Sequence, residues 1–344
     1  TQIPGAYNVT TMSPGRQPGS AFTPFVYAQA FAEGYTPDTV LFDLRTQFST
    51  ECKADDITND EPPCYSPVNY DGKFRGPMSL REALAQSINI PAVKVLYLVG
   101  INDALKTAKS MGINTLGDAN QYGLTLVLGG GEVTPLEMTS AYGTFANDGL
   151  HFDTTPILKI EDAQGNVIED NSERNGDQVV SPEVAQKIND VLSDSQARAP
   201  LGENDLFVFP GRDVAVKTGT TNDFRDAWTI GYTPNIAVGI WAGNNDNSPM
   251  IKKVSGFIVG PAWHEFMAYA LTKLPAEAFV RPEYAPSPKP ALNGKWQTPG
   301  SDGLVHEILY WINKNNPTGP QPSDPSQDPQ FERWDAPVRA VYGG

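Results

Sequence analysis

Three apolar segments late in the chain constrain its fold most strongly, because each has the length and alternation of a β-strand. They cover residues 213–218, 227–232 and 236–241, and turns containing Gly, Thr, Asn and Pro separate them. Strands that follow one another through such turns pair antiparallel. The region before them carries helix signals instead. The sequence therefore predicts an α+β fold, in which helices and an antiparallel sheet occupy separate parts of the chain.

Capping residues and prolines mark the predicted helix boundaries. Ser79 and Glu82 have the three-residue spacing of a capping box. This box is predicted to open a short helix that ends at Ile90, because helices usually stop before a proline and Pro91 follows. An earlier predicted helix begins at Ser20 and covers residues 20–31.

The composition excludes nucleic acid as a partner and a membrane span within this sequence. The formal net charge is −15, whereas binding to phosphates needs clustered Lys and Arg. No run of about 18 apolar residues occurs, which a membrane-spanning helix would require. The three histidines are far apart in the sequence, so neither a metal nor another cofactor is predicted.

Cys52 and Cys64 are the only cysteines, and they lie in one polar, acidic stretch. They are either two separate thiols on a loop or a disulfide that closes it. A zinc site would need two further ligands, and none is nearby in the sequence. A disulfide would indicate a domain that folds outside the cytoplasm.

The composition changes near residue 280, where a proline-rich region begins. Eleven of the 30 prolines fall in the last 64 residues. We therefore predict one domain over residues 1–275 and a proline-rich extension over residues 276–344. The extension is interpreted as an extended tail that either wraps the domain or hangs free, with one short element over residues 304–312.

Three short motifs carry groups suited to acyl transfer. Ser20, at a predicted helix start, would feel the positive end of the helix dipole, which stabilises developing negative charge. Ser87 and Asn89 lie where one helix is predicted to give way to the next. The third motif ends a predicted strand, and there a lysine and two hydroxyls can hold a carboxylate beside a glycine that permits close approach. Its residues are Lys217, Thr218, Gly219 and Thr220.

Serine, S-x-N and K-T-G motifs in this chain order are typical of penicillin-recognising serine acyltransferases. The surrounding sequence resembles the transpeptidase domain of class A, bifunctional penicillin-binding proteins over residues 15–271. The matching blocks include GRQPGSAF, YDGKFRG, SLREALAQSINIPAVK, LGGGEVTPLEM, VKTGTTNDFRDAWTIGYTP and WAGNNDN. The resemblance implies an antiparallel sheet packed with a helical subdomain.

The resemblance also implies a role for each motif residue. Ser20 would attack the carbonyl between the two terminal D-alanines of a peptidoglycan stem peptide, giving an acyl-enzyme that a neighbouring amine then resolves. Ser87 would shuttle protons and Asn89 would bind the substrate peptide. Lys217, Thr218 and Thr220 would receive the terminal carboxylate, and the N–H groups of Ser20 and Thr220 would form the oxyanion hole. β-Lactams would enter the same cleft.

The sequence departs from the family pattern at Thr23, where the first motif has a lysine that accepts the serine's proton. A threonine hydroxyl has no basic lone pair near neutral pH. A positioned general base contributes about 10²- to 10⁴-fold to a rate, so acylation is predicted to be impaired. Lys217 is the best candidate for a substitute base, whereas Lys73 is predicted on a loop and Lys94 on a helix.

A second departure is that family members carry opening strands of the sheet before the serine, and here only 19 residues precede Ser20. The sheet is therefore expected to have an unpaired edge. Three functions stay open: a D,D-transpeptidase domain, a non-catalytic domain that binds D-Ala-D-Ala or organises wall-synthesis proteins, and a β-lactamase. The first two place the chain at the outer face of a bacterial plasma membrane.

Overall fold

The computed structural model describes residues 8–172 and 174–343. The helices of this part of the chain are α1 Thr23–Ala32, α2 Leu80–Ala85, α3 Asn89–Val99, α4 Ile101–Ser110, α5 Pro135–Ala146, α6 Pro182–Leu192, α7 Ser195–Arg198, α8 Asn204–Phe207, α9 Ser255–Ile258, α10 Gly260–Leu271, α11 Ile308–Trp311 and α12 Phe331–Tyr342. A short 3₁₀ turn, Gly19–Phe22, leads directly into α1.

The main sheet has three antiparallel strands in the order β7–β8–β9. The strands of the described residues are β1 Val40–Asp43, β2 Gly76–Ser79, β3 Leu150–His151, β4 Lys159–Glu161, β5 Val167–Asp170, β6 Asp177–Gln178, β7 Ala215–Thr220, β8 Asp226–Thr233 and β9 Ile236–Gly243. β1–β2, β3–β6 and β4–β5 form separate two-stranded antiparallel pairs. The predicted α+β class, with helices and the antiparallel sheet segregated, is confirmed.

Apolar side chains between the main sheet and the helices form the core that joins them. Every residue of β8 is buried, because helices α5 and α9 and the Gly19–Phe22 turn pack on this central strand. On the opposite face, Val216 of β7 and Trp263 and Met267 of α10 form a second apolar cluster. The sheet is thus covered on both faces.

The boundary between α2 and α3 differs from the prediction. The predicted capping box is present, since Ser79 accepts from the Glu82 N–H and Glu82 bonds the Ser79 N–H. However, α2 ends at Ala85 and α3 already begins at Asn89, with Pro91 as its third residue. Proline is tolerated there because N–H groups in the first helical turn have no partner within the helix.

The C-terminal segment, residues 276–343, is neither fully extended nor detached. It contains the predicted short element as α11 and a helix that the sequence interpretation missed, α12. Trp334 and Ile308 of this segment are 0% and 1% exposed and belong to the same apolar cluster as α1, α3 and α5. The segment therefore packs onto the rest of the chain, and its status as a separate domain stays a prediction.

Cys52 and Cys64 are joined in a disulfide, with their Cα atoms 5.6 Å apart. The bridge closes a loop that packs on the C-terminal segment, because the Arg333 guanidinium donates to the Cys52 carbonyl at 2.6 Å. Gln47 also holds this loop, as its side-chain amide donates to the carbonyls of Asp56 and Asn59 at 2.9 and 2.8 Å.

β9 forms the outer edge of the main sheet. Within residues 8–172 and 174–343, no strand pairs with its free side. All eight residues of β9 are only partly buried, whereas those of β8 are fully buried. None of the helices in the described ranges is both long enough and apolar enough to cross a bilayer.

Candidate active site

The turn that carries Ser20 lies directly against the end of β7. A Cβ atom built on Gly19 would lie 2.6 Å from the Thr220 carbonyl oxygen, and one built on Gly219 would lie 2.1 Å from the Pro18 carbonyl oxygen. Gly19 also has a φ of +56°, which favours glycine. Both glycines are therefore required for the serine turn to touch the K-T-G strand.

Two buried side chains fix this turn from below. The Tyr142 hydroxyl donates to the Ala21 carbonyl at 2.7 Å, and the Trp228 indole N–H donates to the Gln17 carbonyl at 2.8 Å. Tyr142 lies on α5 and Trp228 on β8, so the helical part and the sheet each contribute one contact. Ser20 itself is partly exposed, and within the described residues its hydroxyl has no hydrogen-bond partner.

Ser87 occupies a left-handed backbone conformation, with a φ of +58°, just after α2. The N–H of Ile88 donates to the Ala83 carbonyl at 2.9 Å, and the N–H of Ser87 donates to the Leu84 carbonyl at 3.2 Å. This pair of bonds is a Schellman motif, in which glycine usually fills the left-handed position. A serine there is strained, and strained residues of this kind cluster at functional sites.

Lys217 brings the second and third motifs together. Its Nζ donates to the Ser87 Oγ at 2.7 Å and to the Thr218 carbonyl at 2.9 Å, and the side chain is 3% exposed. No carboxylate in the described part of the chain lies within 4.0 Å of this amine. Burial lowers the pKa of Lys217 to about 7, and the negative charge of Glu203 only partly opposes this effect.

Glu203 and Ser255 are site residues that sequence reasoning missed. The Glu203 carboxylate is buried behind Gly256, and burial raises its pKa against the charges of Lys217 and Arg198. Ser255 donates its N–H to the Thr220 Oγ1 at 2.9 Å, and the two hydroxyls are 3.1 Å apart. Glu203 precedes β7 and Ser255 follows β9, and no local motif marks either of them.

Thr23 is oriented toward the backbone. Its hydroxyl donates to the Ser20 carbonyl at 2.7 Å and lies 3.5 Å from the Val127 carbonyl, and the residue is 2% exposed. The hydroxyl hydrogen is therefore engaged in the bond to the Ser20 carbonyl, within the turn. A threonine hydroxyl has no basic lone pair near neutral pH, so a role of Thr23 in the turn and not as a base stays a prediction.

Asn89 begins α3 on the far side of the corner, which we define as residues 86–89. Its side-chain amide donates to the Val68 carbonyl at 2.8 Å, and its backbone N–H donates to the Asn69 side-chain oxygen at 3.0 Å. Asn89 is partly exposed. The structure thus joins Ser87 to Lys217 and places the Ser20 turn against β7. Asn89 follows Ser87 by two residues, as the first residue of α3.

The family model of the penicillin-binding protein transpeptidase domain matches residues 2–268, which is most of the chain. The chain belongs to the transpeptidase domain family of class A penicillin-binding proteins. Penicillin-binding protein 1A of Aquifex aeolicus is 35% identical over 277 residues, which are 78% of this chain and 35% of that protein. Penicillin-binding protein 2D of Bacillus subtilis is 33% identical over 278 residues, 78% of this chain and 38% of that protein. The chain therefore spans little more than a third of the length of these curated relatives.

Solved structures of penicillin-binding proteins share the fold. Penicillin-binding protein 1A from Haemophilus influenzae is 25% identical, with a TM-score of 0.68 over 84% of this chain and 47% of that one. PonA1 from Mycobacterium tuberculosis in complex with penicillin V gives a TM-score of 0.68 at 22% identity, over 80% of this chain and 74% of that one. The penicillin-binding family expected from the motifs is thus confirmed, whereas the role of each site residue stays a prediction.

Proposed function

We propose that this domain binds the D-Ala-D-Ala end of peptidoglycan stem peptides, and β-lactams in the same cleft, and forms an acyl-enzyme at Ser20. The observation that carries the proposal is the 2.7 Å contact between the Lys217 amine and the Ser87 hydroxyl. It links two of the three motifs beside the turn that presents Ser20. PonA1, which shares this fold, is known in complex with penicillin V, and this supports a β-lactam as a ligand of the cleft.

In the proposed reaction, Ser87 relays a proton between Ser20 and Lys217. The Ser20 hydroxyl gives its proton to the Ser87 Oγ while Ser87 gives its own to the Lys217 amine, and the Ser20 Oγ bonds the substrate carbonyl carbon. The C–N bond then breaks, and the leaving D-alanine amine recovers the proton along the same path. An acceptor amine then bonds the ester carbonyl carbon, the bond from that carbon to the Ser20 Oγ breaks, and the amine's proton returns to Ser20 through Lys217 and Ser87.

Lys217 can act as this base because burial brings its pKa to about 7. Roughly half of the amine is then unprotonated near neutral pH. The relay takes over the task of the family's first-motif lysine, which Thr23 cannot perform. Because the proton crosses two groups, we expect acylation to be slower than with a direct base by up to about 10²-fold.

A second candidate function is a non-catalytic domain that binds the same ligands. The specific observation in its favour is the Thr23 hydroxyl, which is committed to the Ser20 carbonyl at 2.7 Å. In that case the cleft holds D-Ala-D-Ala or a β-lactam without forming a bond. Either role places the domain outside the cytoplasm at the bacterial plasma membrane, in agreement with the Cys52–Cys64 disulfide.

Intact mass after incubation with a reactive penicillin separates these functions. The variants are the unmodified chain, Thr23→Lys and Ser20→Ala as the control that cannot be acylated. We expect a stable mass gain on the unmodified chain, a faster one on Thr23→Lys, and none on Ser20→Ala. A gain on Thr23→Lys alone would make the unmodified chain a binding domain, and rapid loss of the adduct would indicate a β-lactamase.

A further inference from the structure

A buried polar network begins at the cleft corner and leads away from the proposed chemistry. The Asn69 side-chain oxygen accepts from the N–H groups of Asn89 and Ile90 at 3.0 and 3.3 Å. Its amide nitrogen donates to both carboxylate oxygens of Asp43, at 2.8 and 2.9 Å. Asn69 is 1% exposed and Asp43 is 0% exposed. The first turn of α3 is therefore tied to the end of β1.

The next step of the network is an ion pair under β1. The Lys94 amine, on α3, donates to the Phe42 carbonyl at 2.8 Å and lies 3.3 Å from the Glu307 carboxylate. That carboxylate also accepts from the Phe42 N–H at 3.3 and 3.4 Å. Both charged side chains are 0% exposed. Lys94 and Glu307 thus hold the carbonyl and the N–H of one residue, Phe42, immediately before Asp43.

The C-terminal segment fixes Glu307 in turn. The Asp335 carboxylate on α12 accepts from the Glu307 N–H at 2.9 Å and bonds the His306 ring at 3.0 Å. Beside them, the Trp334 ring lies 5.1 Å below the Lys94 amine. Burial lowers the pKa of Lys94 and raises that of Glu307 to about 7, so each ion depends on its partner.

We propose that residues 304–343 are a positioning element of the cleft. They act through the Lys94–Glu307 pair and the Asn69 contact to fix the backbone of the corner, residues 86–89, and of Ile90 next to it. The inference rests on the proposed function, because reactivity of the cleft is one of its two readouts. On this account Asp43, Asn69, Lys94 and Glu307 are positioning residues that touch no substrate. The alternative is a network that stabilises the fold as a whole and leaves the corner unaffected.

A charge-removal cycle on the full chain tests this inference. Lys94→Met and Glu307→Gln each leave one buried charge without its partner, whereas the double variant removes both and keeps an acceptor for the Phe42 N–H. Glu183→Gln is the matched control, because its partner Lys187 lies 2.6 Å away on α6, outside the network. Each variant is made in the unmodified chain and in Thr23→Lys. The readouts are penicillin acylation rate and hydrogen exchange by mass spectrometry.

In each single variant, we expect the backbone amide hydrogens of residues 86–92 to exchange at least about tenfold faster, and those of β7 and β8 to exchange at the parent's rate. We also expect each single variant to be acylated at least about tenfold more slowly. The double variant should recover most of the parent's slow exchange at residues 86–92 and most of its acylation rate. Glu183→Gln should match its parent in both measurements. Unchanged exchange at residues 86–92, an equal rise over the whole chain, or a double variant no better than the singles would overturn the inference. If neither parent is acylated, the proposed function fails, and the exchange cycle alone decides this inference.

Discussion

At the scale of single residues, the backbone conformation of Ser87 and its side-chain contact favour different residue types. The φ of +58° favours glycine, whereas the contact with Lys217 requires a side-chain oxygen. A non-glycine residue in this conformation costs about 1–2 kcal/mol. The strain persists because the helix end and the buried amine both hold the corner.

Ser87→Gly and Ser87→Ala separate the strain from the chemistry. Both lose the hydroxyl, so we expect both to acylate at least about tenfold more slowly than the unmodified chain. Only the glycine relieves the backbone, and it should be more stable than the alanine variant by about 1 kcal/mol. Chemical denaturation and penicillin acylation rates measure the two effects. An alanine variant that reacts at the normal rate would remove Ser87 from the proton path.

Thr23→Val tests whether the threonine hydroxyl takes part in the reaction. Valine keeps the shape of the residue and loses the bond to the Ser20 carbonyl. We expect the acylation rate to change by less than about threefold and the stability to fall by about 1 kcal/mol. Stopped-flow acylation with a chromogenic β-lactam gives the rate, and thermal unfolding gives the stability. A loss of more than about tenfold would make Thr23 part of the catalytic machinery.

At the scale of elements, local signals predicted the start of α2 but not its end. The capping box at Ser79 was readable because both partners lie within one turn. The end of α2 was not, because it depends on a left-handed serine held by Lys217 from 130 residues away. Helix α12 was missed because Pro337 lies inside it. In the same way, the three motifs were visible in sequence, but the supporting residues Asn69 and Ser255 act only through tertiary contacts.

The disulfide loop is an element whose contribution can be measured alone. The bridge joins residues 12 apart, and closing a loop of this size stabilises by about 3 kcal/mol in the chain-entropy model. We expect Cys52→Ser/Cys64→Ser to lose about this much free energy of unfolding and to keep its acylation rate. Urea denaturation and penicillin acylation, each compared with the oxidised chain, test this. A variant that is stable but unreactive would show that the loop shapes the cleft.

At the scale of the whole molecule, the C-terminal segment and the helical part share one apolar core. Trp334 is 0% exposed and packs edge-on against Phe48 and Tyr97, with ring centroids 6.2 and 5.3 Å away. A segment bound this way should unfold together with the domain. A separate extension, as the proline content suggested, would instead unfold in its own transition.

Trp334→Ala tests this shared core. We expect a loss of about 3–5 kcal/mol in the free energy of unfolding, because a buried tryptophan leaves a large cavity. The thermal transition should stay single and shift to lower temperature as a whole. Calorimetry gives the number of transitions, and Phe257→Ala, at a side chain that is 53% exposed, is the matched control. A second, separate transition in the unmodified chain would contradict a shared core.

The proposed function requires that Lys217, through Ser87, is the base that activates Ser20. The most direct measurement is the rate of penicillin acylation of the unmodified chain from about pH 5 to about pH 9. Because burial lowers the pKa of Lys217 to about 7, the amine is protonated below that pH and free above it. We therefore predict a rate that rises about tenfold per pH unit at acidic pH and levels off above about pH 7. A rate that is unchanged across this range would contradict the assignment of Lys217 as the base.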